Sequence, residues 1–167
     1  MDVHDLTLHQ NIIKAIKELG FTELTSIQEK CIPEILKGKD VFGHSSTGSG
    51  KTAAFGLPIL EKITQERYVQ VLVLTPTREL CLQVTGALRD FAKYLRINIV
   101  SIYGGVGIMP QIDALREAQI VVGTPGRVLD HLKRKSLHLE KISFLVLDEA
   151  DKMFEMGFIE DVERIIT

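Results

Sequence analysis

The chain has 167 residues, 45% of them hydrophobic, enough to bury roughly two-thirds of the unfolded surface around one self-supporting core. Its 20 basic and 22 acidic residues leave a formal charge of -2, which excludes capture of a polyanion by bulk positive charge and makes any nucleic-acid site a local one. The start Met1-Asp2-Val3-His4-Asp5 lacks the basic and apolar stretches of a signal peptide, and no apolar run approaches the roughly 18 residues that span a bilayer, so a cytoplasmic protein with no membrane association is expected. The two cysteines, Cys31 and Cys81, sit in apolar helical patterns and read as small buried hydrophobes.

In chain order, Leu8, Ile12, Ile13, Ile16 and Leu19 recur at helical spacing and Gly20 supplies a stop, predicting an amphipathic helix. Ile27, Cys31, Ile32, Ile35 and Leu36 repeat the pattern in a second helix, which Pro33 is expected to kink or shorten. From residue 40 onward short apolar runs alternate with amphipathic stretches. Val41-Phe42, Val71 to Leu74, Ile97 to Ile102, Ile120 to Val122 and Phe144 to Leu147 read as buried strands; Lys51 to Ile63, Arg78 to Tyr94, Pro110 to Arg116 and Arg127 to Arg134 read as helices. Such alternation, with strands apolar throughout, predicts an α/β fold with a mostly parallel sheet flanked by helices in three layers.

In open parallel sheets ligands collect at the carboxyl ends of strands. Five chemically suggestive segments follow predicted strands here: the glycine loop, Thr75-Pro76-Thr77-Arg78, Tyr103-Gly104-Gly105, Thr124-Pro125-Gly126-Arg127 and Asp148-Glu149. One functional edge is the expectation.

Two of these segments carry recognisable chemistry. The run Ser45-Ser46-Thr47-Gly48-Ser49-Gly50-Lys51-Thr52 stands between a strand and a helix. Glycines at 48 and 50 allow a concave loop of backbone N–H groups at a helix N-terminus, a cradle for phosphates. Lys51 is placed to contact the terminal phosphates and the Thr52 hydroxyl to complete a magnesium shell. The same residues match a dinucleotide pattern through Gly48, Gly50 and Ala53, but Leu74-Thr75-Pro76 lacks the acid that would hold a ribose hydroxyl. Asp148 and Glu149 end a buried strand; Asp148 suits a direct or water-mediated contact to magnesium and Glu149 the polarisation of an attacking water. Together the two sites predict a nucleoside triphosphatase. The five histidines have no metal-ligand spacing and no serine sits in a G-x-S-x-G elbow, which removes zinc and acyl-transfer chemistry.

With these residues in view the chain resembles the first RecA-like domain of the DEAD-box ATP-dependent RNA helicases. Asp148-Glu149-Ala150-Asp151 spells the family name, and the other segments follow in the family's order: Gly20 to Gln28, the phosphate loop, Pro76-Thr77-Arg78-Glu79-Leu80, Gly104-Gly105, Thr124-Pro125-Gly126-Arg127, then Met153 and Gly157-Phe158. The resemblance implies one domain over residues 1–167, with amino-terminal helices and a Gln motif at 1–36 and a P-loop core at 37–167. It implies ATP and Mg2+ as cofactors, held by Phe21, Thr25, Gln28, Ser46, Thr47, Gly48, Ser49, Gly50, Lys51 and Thr52, with Thr52 and Asp148 toward the metal. Lys51, Asp148 and Glu149 become catalytic. Pro76, Thr77, Arg78, Gly105, Thr124 and Arg127 become contacts to the backbone of single-stranded or short duplex RNA, independent of sequence. Asp151 becomes an interdomain coupling residue.

Three positions depart from the family pattern: Val3 where an aromatic usually stacks on adenine, Leu24 for a proline, and Ser45 for an alanine. Weaker adenine selectivity is the expectation. The chain stops before the family's Ser-Ala-Thr segment and its second RecA-like domain, so it reads as incomplete at its carboxyl end. A monomer that binds nucleotide, hydrolyses it slowly and does not unwind RNA alone is expected, because arginine fingers contribute roughly 10³ to 10⁵ in rate in related NTPases. Two other readings stay open on the residues alone: an RNA or protein platform with a vestigial nucleotide site, and another P-loop ATPase acting on DNA or protein.

Overall fold

The structure, a computed structural model, describes residues 1–44 and 50–167. Ser45, Ser46, Thr47, Gly48 and Ser49 of the predicted phosphate loop lie outside the described residues. A short 3-10 helix at Val3–Asp5 is followed by α1 (Gln10–Glu18), α2 (Ser26–Leu36), α3 (Lys51–Lys62), β1 (Val71–Leu74), α4 (Arg78–Phe91), β2 (Ile99–Ile102), α5 (Met109–Leu115), β3 (Ile120–Gly123), α6 (Pro125–Lys133), β4 (Phe144–Leu147), α7 (Ala150–Glu155) and α8 (Ile159–Ile166). None of the described helices is long and apolar enough to cross a membrane. The chain divides into two compact units, Met1–Thr64 with Gly86–Arg96, and Gln65–Thr85 with Ile97–Thr167.

The first unit is helical. The apolar stripes foreseen in the sequence bury Ile12, Ala15 and Ile16 of α1, Cys31 and Ile32 of α2, and Ala53, Ala54, Leu57 and Leu60 of α3. α3 packs along α2 and touches α1. Gly56 permits a close approach: a Cβ there would lie 2.7 Å from a methyl of Leu88. Helix α2 is not shortened at Pro33 but runs on to Leu36, with a capping box at its start, although an interior proline removes one hydrogen bond and crowds the carbonyl four residues back. Val3 is buried and donates its N–H to the Thr22 carbonyl at 3.2 Å, so it serves this core rather than presenting a face to a ligand.

The second unit holds a parallel sheet in the order β2-β3-β1-β4, flanked by helices as the βα alternation predicts. β1 and β3 are buried along their whole length. On one face Leu72, Leu74, Val100, Ile102 and Val121 pack with Leu115 of α5, Val128 of α6, Met153 of α7 and Ile165 of α8.

Two sequence expectations need correcting. Val41-Phe42 forms no strand; Phe42 is 92% exposed, and among the described residues no strand supplies the hydrogen-bonded partner that two apolar residues would need to become part of a ladder. Phe144 to Leu147 is a strand, yet it is not buried throughout. Leu145 and Leu147 are each 39% exposed, since among the described residues β4 is an edge strand paired only to β1. Helices α7 and α8 stood outside the helices assigned from sequence.

Candidate functional site

The registers of the second unit bring the ends of all four strands level. Leu74 pairs with Gly123 and with Leu147, and Ile102 pairs with Gly123. The ladder then continues one residue further: Thr75 donates to the Gly123 carbonyl at 2.9 Å, Thr124 to Ile102 at 3.1 Å and Asp148 to Leu74 at 2.9 Å. Four of the five segments singled out by sequence therefore leave one sheet edge together, and the first residue of three is fixed by the backbone.

The threonines at this edge differ in use. The Thr77 hydroxyl accepts from the Leu80 N–H at 3.1 Å, capping α4 and satisfying one of the donors that a helix start leaves open. Thr124 occupies the N-cap of α6 without a side-chain capping bond. Pro76 and Pro125 are buried, with Pro125 at the first turn of α6 where a missing N–H costs nothing. Gly105 is exposed with φ +83, a conformation that favours glycine.

Both arginines are held. The Arg78 guanidinium lies 4.8 Å from the centroid of the Tyr103 ring, a cation–π contact. Arg127 donates from Nη1 to Gln111 Oε1 at 3.1 Å and from Nη2 to the Val106 carbonyl at 3.1 Å. Gln111, buried on α5, donates to the Tyr103 carbonyl at 3.0 Å, and its Oε1 also meets His131 Nε2 at 2.9 Å. His131, 0% exposed, places Nδ1 2.8 Å from the Ser136 hydroxyl. Burial, and then the Arg127 charge, lower the His131 pKa, keeping the imidazole neutral at neutral pH. A neutral ring has one N–H; because Oε1 only accepts, Nε2 carries the proton and Nδ1 accepts from Ser136.

Sequence reading missed Gln111 and His131, and singled out Tyr103 only as the start of the Tyr103-Gly104-Gly105 segment. The available signal was polarity on an apolar stripe: Gln111 shares the buried face of α5 with Leu115, and His131 that of α6 with Val128.

At the end of β4 the acidic pair is partly buried. Glu149 is the N-cap of α7 at φ 52, ψ 52, a left-handed conformation costing a residue with a Cβ about 1 to 2 kcal/mol. Its carboxylate lies 3.3 Å from Lys152 Nζ. Strain of this kind concentrates at functional positions. Asp151 is exposed in the first turn of α7.

In the first unit, Thr25 and Gln28 form a capping box at the start of α2. Gln28 Oε1 accepts from the Thr25 N–H at 3.0 Å, and its amide donates to the Gly50 carbonyl at 3.2 Å. Among the described residues, Thr25 and Gly50 take one lone pair and one N–H of the buried Gln28 amide, which has two of each to offer. Gly50 is the N-cap of α3 at φ +87, and a Cβ there would collide with Gln28 Nε2. Lys51 and Thr52, both half-buried, form the first turn of α3, the end of a helix that favours anions. Phe21 packs edge-on against Phe91 with centroids 5.9 Å apart. Among the described residues no group of three or more His, Cys, Asp or Glu could hold a metal alone.

Comparison with known proteins follows the same pattern. The DEAD/DEAH box helicase family model matches residues 25–167. The chain is 55% identical over 165 residues to the ATP-dependent RNA helicase DeaD of Escherichia coli (strain K12), covering 97% of this chain and 26% of that protein. It is 50% identical over 165 residues to the DEAD-box ATP-dependent RNA helicase CshA of Bacillus cereus (strain ATCC 10987 / NRS 248), covering 98% of this chain and 31% of that one. The crystal structure of a DEAD box protein from Methanococcus jannaschii superposes with a TM-score of 0.95 at 45% identity, over 99% of this chain and 46% of that chain. A hypothetical ATP-dependent RNA helicase from Sulfolobus tokodaii gives 0.89 at 44% identity, over 95% and 46%. The chain thus spans a quarter to a third of the length of these curated relatives, and its fold is RecA-like. With a family model matched over most of its length, the chain belongs to the DEAD/DEAH box helicase family.

Proposed function

We propose that these 167 residues are the ATP- and magnesium-binding part of an ATP-dependent RNA helicase and one half of its RNA clamp. The observation that carries the reading is the level edge at which Thr75, Tyr103, Thr124 and Asp148 leave the four strands. Residues 1–36 supply the Gln motif and 37–167 the P-loop core. The phosphate loop through Gly50 cradles phosphates, Lys51 neutralises the terminal ones, and the Gln28 amide reads adenine, with Thr25 and Phe21 as further nucleotide-binding residues. Glu149 orients and polarises water. Thr52 and Asp148 offer hard oxygen donors, the chemistry magnesium selects; when bound, the ion neutralises phosphate charge. Pro76, Thr77, Arg78, Gly105, Thr124 and Arg127 line the path of an RNA backbone, and Asp151 couples to a second RecA-like domain.

On its own the chain acts as a monomer that hydrolyses ATP slowly and does not unwind duplexes. The arginines at the strand edge are engaged with Tyr103, Gln111 and Val106, and phosphoryl transfer without an arginine finger loses roughly 10³ to 10⁵ in rate.

Backbone contacts position a strand without reading bases. Two unrelated RNA sequences of equal length should therefore bind within about threefold of each other and displace the matching DNA strands, which lack the 2′-hydroxyl. A strong preference for one sequence, or equal competition by DNA, contradicts the RNA-backbone reading.

A further inference from the structure

The geometry points to Gln111 as a positioning residue for RNA-backbone binding: one buried amide sets the loop Tyr103–Val106 and the Arg127 guanidinium against each other. This rests on the RNA reading of Arg127 and Gly105 above and adds a residue that touches no RNA itself.

The carbonyls on either side of Gly104-Gly105 are both taken. Tyr103 O accepts from Gln111 Nε2 at 3.0 Å, and Val106 O accepts from Arg127 Nη2 at 3.1 Å, while Arg127 Nη1 returns to Gln111 Oε1 at 3.1 Å. A closed ring of contacts results, running Tyr103, Gln111, Arg127, Val106 and back through two glycines. Without the clamp, two adjacent glycines would leave this loop among the most conformationally free points of the chain. No backbone carbonyl of the described residues accepts from the N–H of Gly104 or Gly105. Tyr103 extends the clamp to a third segment, because its ring carries the Arg78 guanidinium at 4.8 Å.

The Arg127 Nη1 donor and the Tyr103 carbonyl fix which way the Gln111 amide faces. Were the amide turned, its NH2 would meet the Arg127 Nη1 donor and its oxygen the Tyr103 carbonyl, losing both bonds at once. The His131 Nε2 contact at 2.9 Å adds a second donor to Oε1, and Ser136 completes the chain at 2.8 Å. Arg127 is thereby held as a fork with both arms placed and Nε left over. A pre-set guanidinium meets a phosphate without first losing side-chain freedom.

The test is a fluorescence titration of a short oligouridylate against the wild-type chain, Gln111→Leu, Arg127→Ala and the double variant, at several salt concentrations, with ADP affinity measured alongside. Gln111→Leu should weaken RNA binding about tenfold, as loss of a charge-assisted contact does. The log–log salt slope should become shallower by roughly 0.7, the value for one phosphate of a single strand, with ADP affinity unchanged. In the Arg127→Ala background Gln111→Leu should add little, the signature of residues acting through one another. Gln111→Asn, which keeps the amide but is one methylene too short to reach both partners, should fall in the same direction and serves if the leucine variant does not fold. Wild-type affinity and salt slope in Gln111→Leu or Gln111→Asn, or additive losses in the double variant, overturn the inference. If Arg127→Ala alone leaves RNA binding unchanged, the RNA reading fails instead.

Discussion

Glu149→Gln should lower single-turnover ATP hydrolysis by about 10²-fold or more, the loss expected when a positioned proton acceptor is removed, while ADP affinity and stability stay close to wild type. Glutamine has the size of glutamate and can keep the same backbone, but it offers no anionic oxygen to a water. Glu149→Gly should be equally inactive and yet no less stable. At φ 52 and ψ 52 the native residue holds a conformation that glycine adopts freely. The pair lost with it, Lys152 at 3.3 Å, has a partner exposed enough to be worth at most about 1 kcal/mol. Relief of strain offsets this together with the added freedom of an unfolded glycine, leaving a gain of up to about 1 kcal/mol. A urea melt and a hydrolysis time course on the same two variants separate the roles. Hydrolysis at the wild-type rate in either one removes Glu149 from the chemistry, and a marked loss of stability in Glu149→Gly removes the strain.

Gly50→Ala is the second large effect, and it acts at a different point. Gly50 stands at φ +87, where alanine costs about 1 to 2 kcal/mol. Its added methyl would also collide with Gln28 Nε2 and come within 3.0 Å of the Thr25 hydroxyl. Relief of the collision requires Gln28 to move, which breaks the bond to the Gly50 carbonyl and the capping box of α2, a further loss of about 1 kcal/mol. Nucleotide affinity should fall roughly a hundredfold, given the 1.4 kcal/mol that each factor of ten requires, with faster amide exchange in α2 and the first turn of α3. Gln28→Ala removes the obstacle, so Gly50→Ala should be less harmful in that background. Purely additive effects would show that the two residues do not press on each other.

Much of this was legible in the sequence because the relevant signals are local. Runs of apolar residues marked β1 to β4, and helical spacing marked the cores of α1 to α4 and α6. Turn chemistry at Gly105 and Thr124 marked strand ends, and at Gly50 the start of α3. What the sequence left out depends on neighbours. Leu145 and Leu147 read as buried because an apolar run does not say whether a strand lies at the edge of a sheet. Val41-Phe42 read as a strand because two apolar residues carry no information about a partner. Helix α8 carries Ile159, Val162 and Ile165 at helical spacing, but its eight residues are a shorter window than periodicity needs to specify a helix. Gln111 and His131 were missed for a different reason. A buried polar side chain is legible only through the partners that satisfy it, and those partners, Tyr103, Arg127 and Ser136, come from three separate segments.

The central proposal is that Lys51 binds the phosphates of a nucleotide and Asp148 its magnesium. Isothermal titration of ADP with and without magnesium into the wild-type chain, Lys51→Ala and Asp148→Asn tests it most directly. Magnesium should strengthen binding to the wild type. Lys51→Ala should lose about tenfold to a hundredfold, the worth of a hydrogen bond to a charged group, and Asp148→Asn should bind ADP equally well with and without the metal. Wild-type affinity in Lys51→Ala, or an unaltered magnesium dependence in Asp148→Asn, would contradict the account.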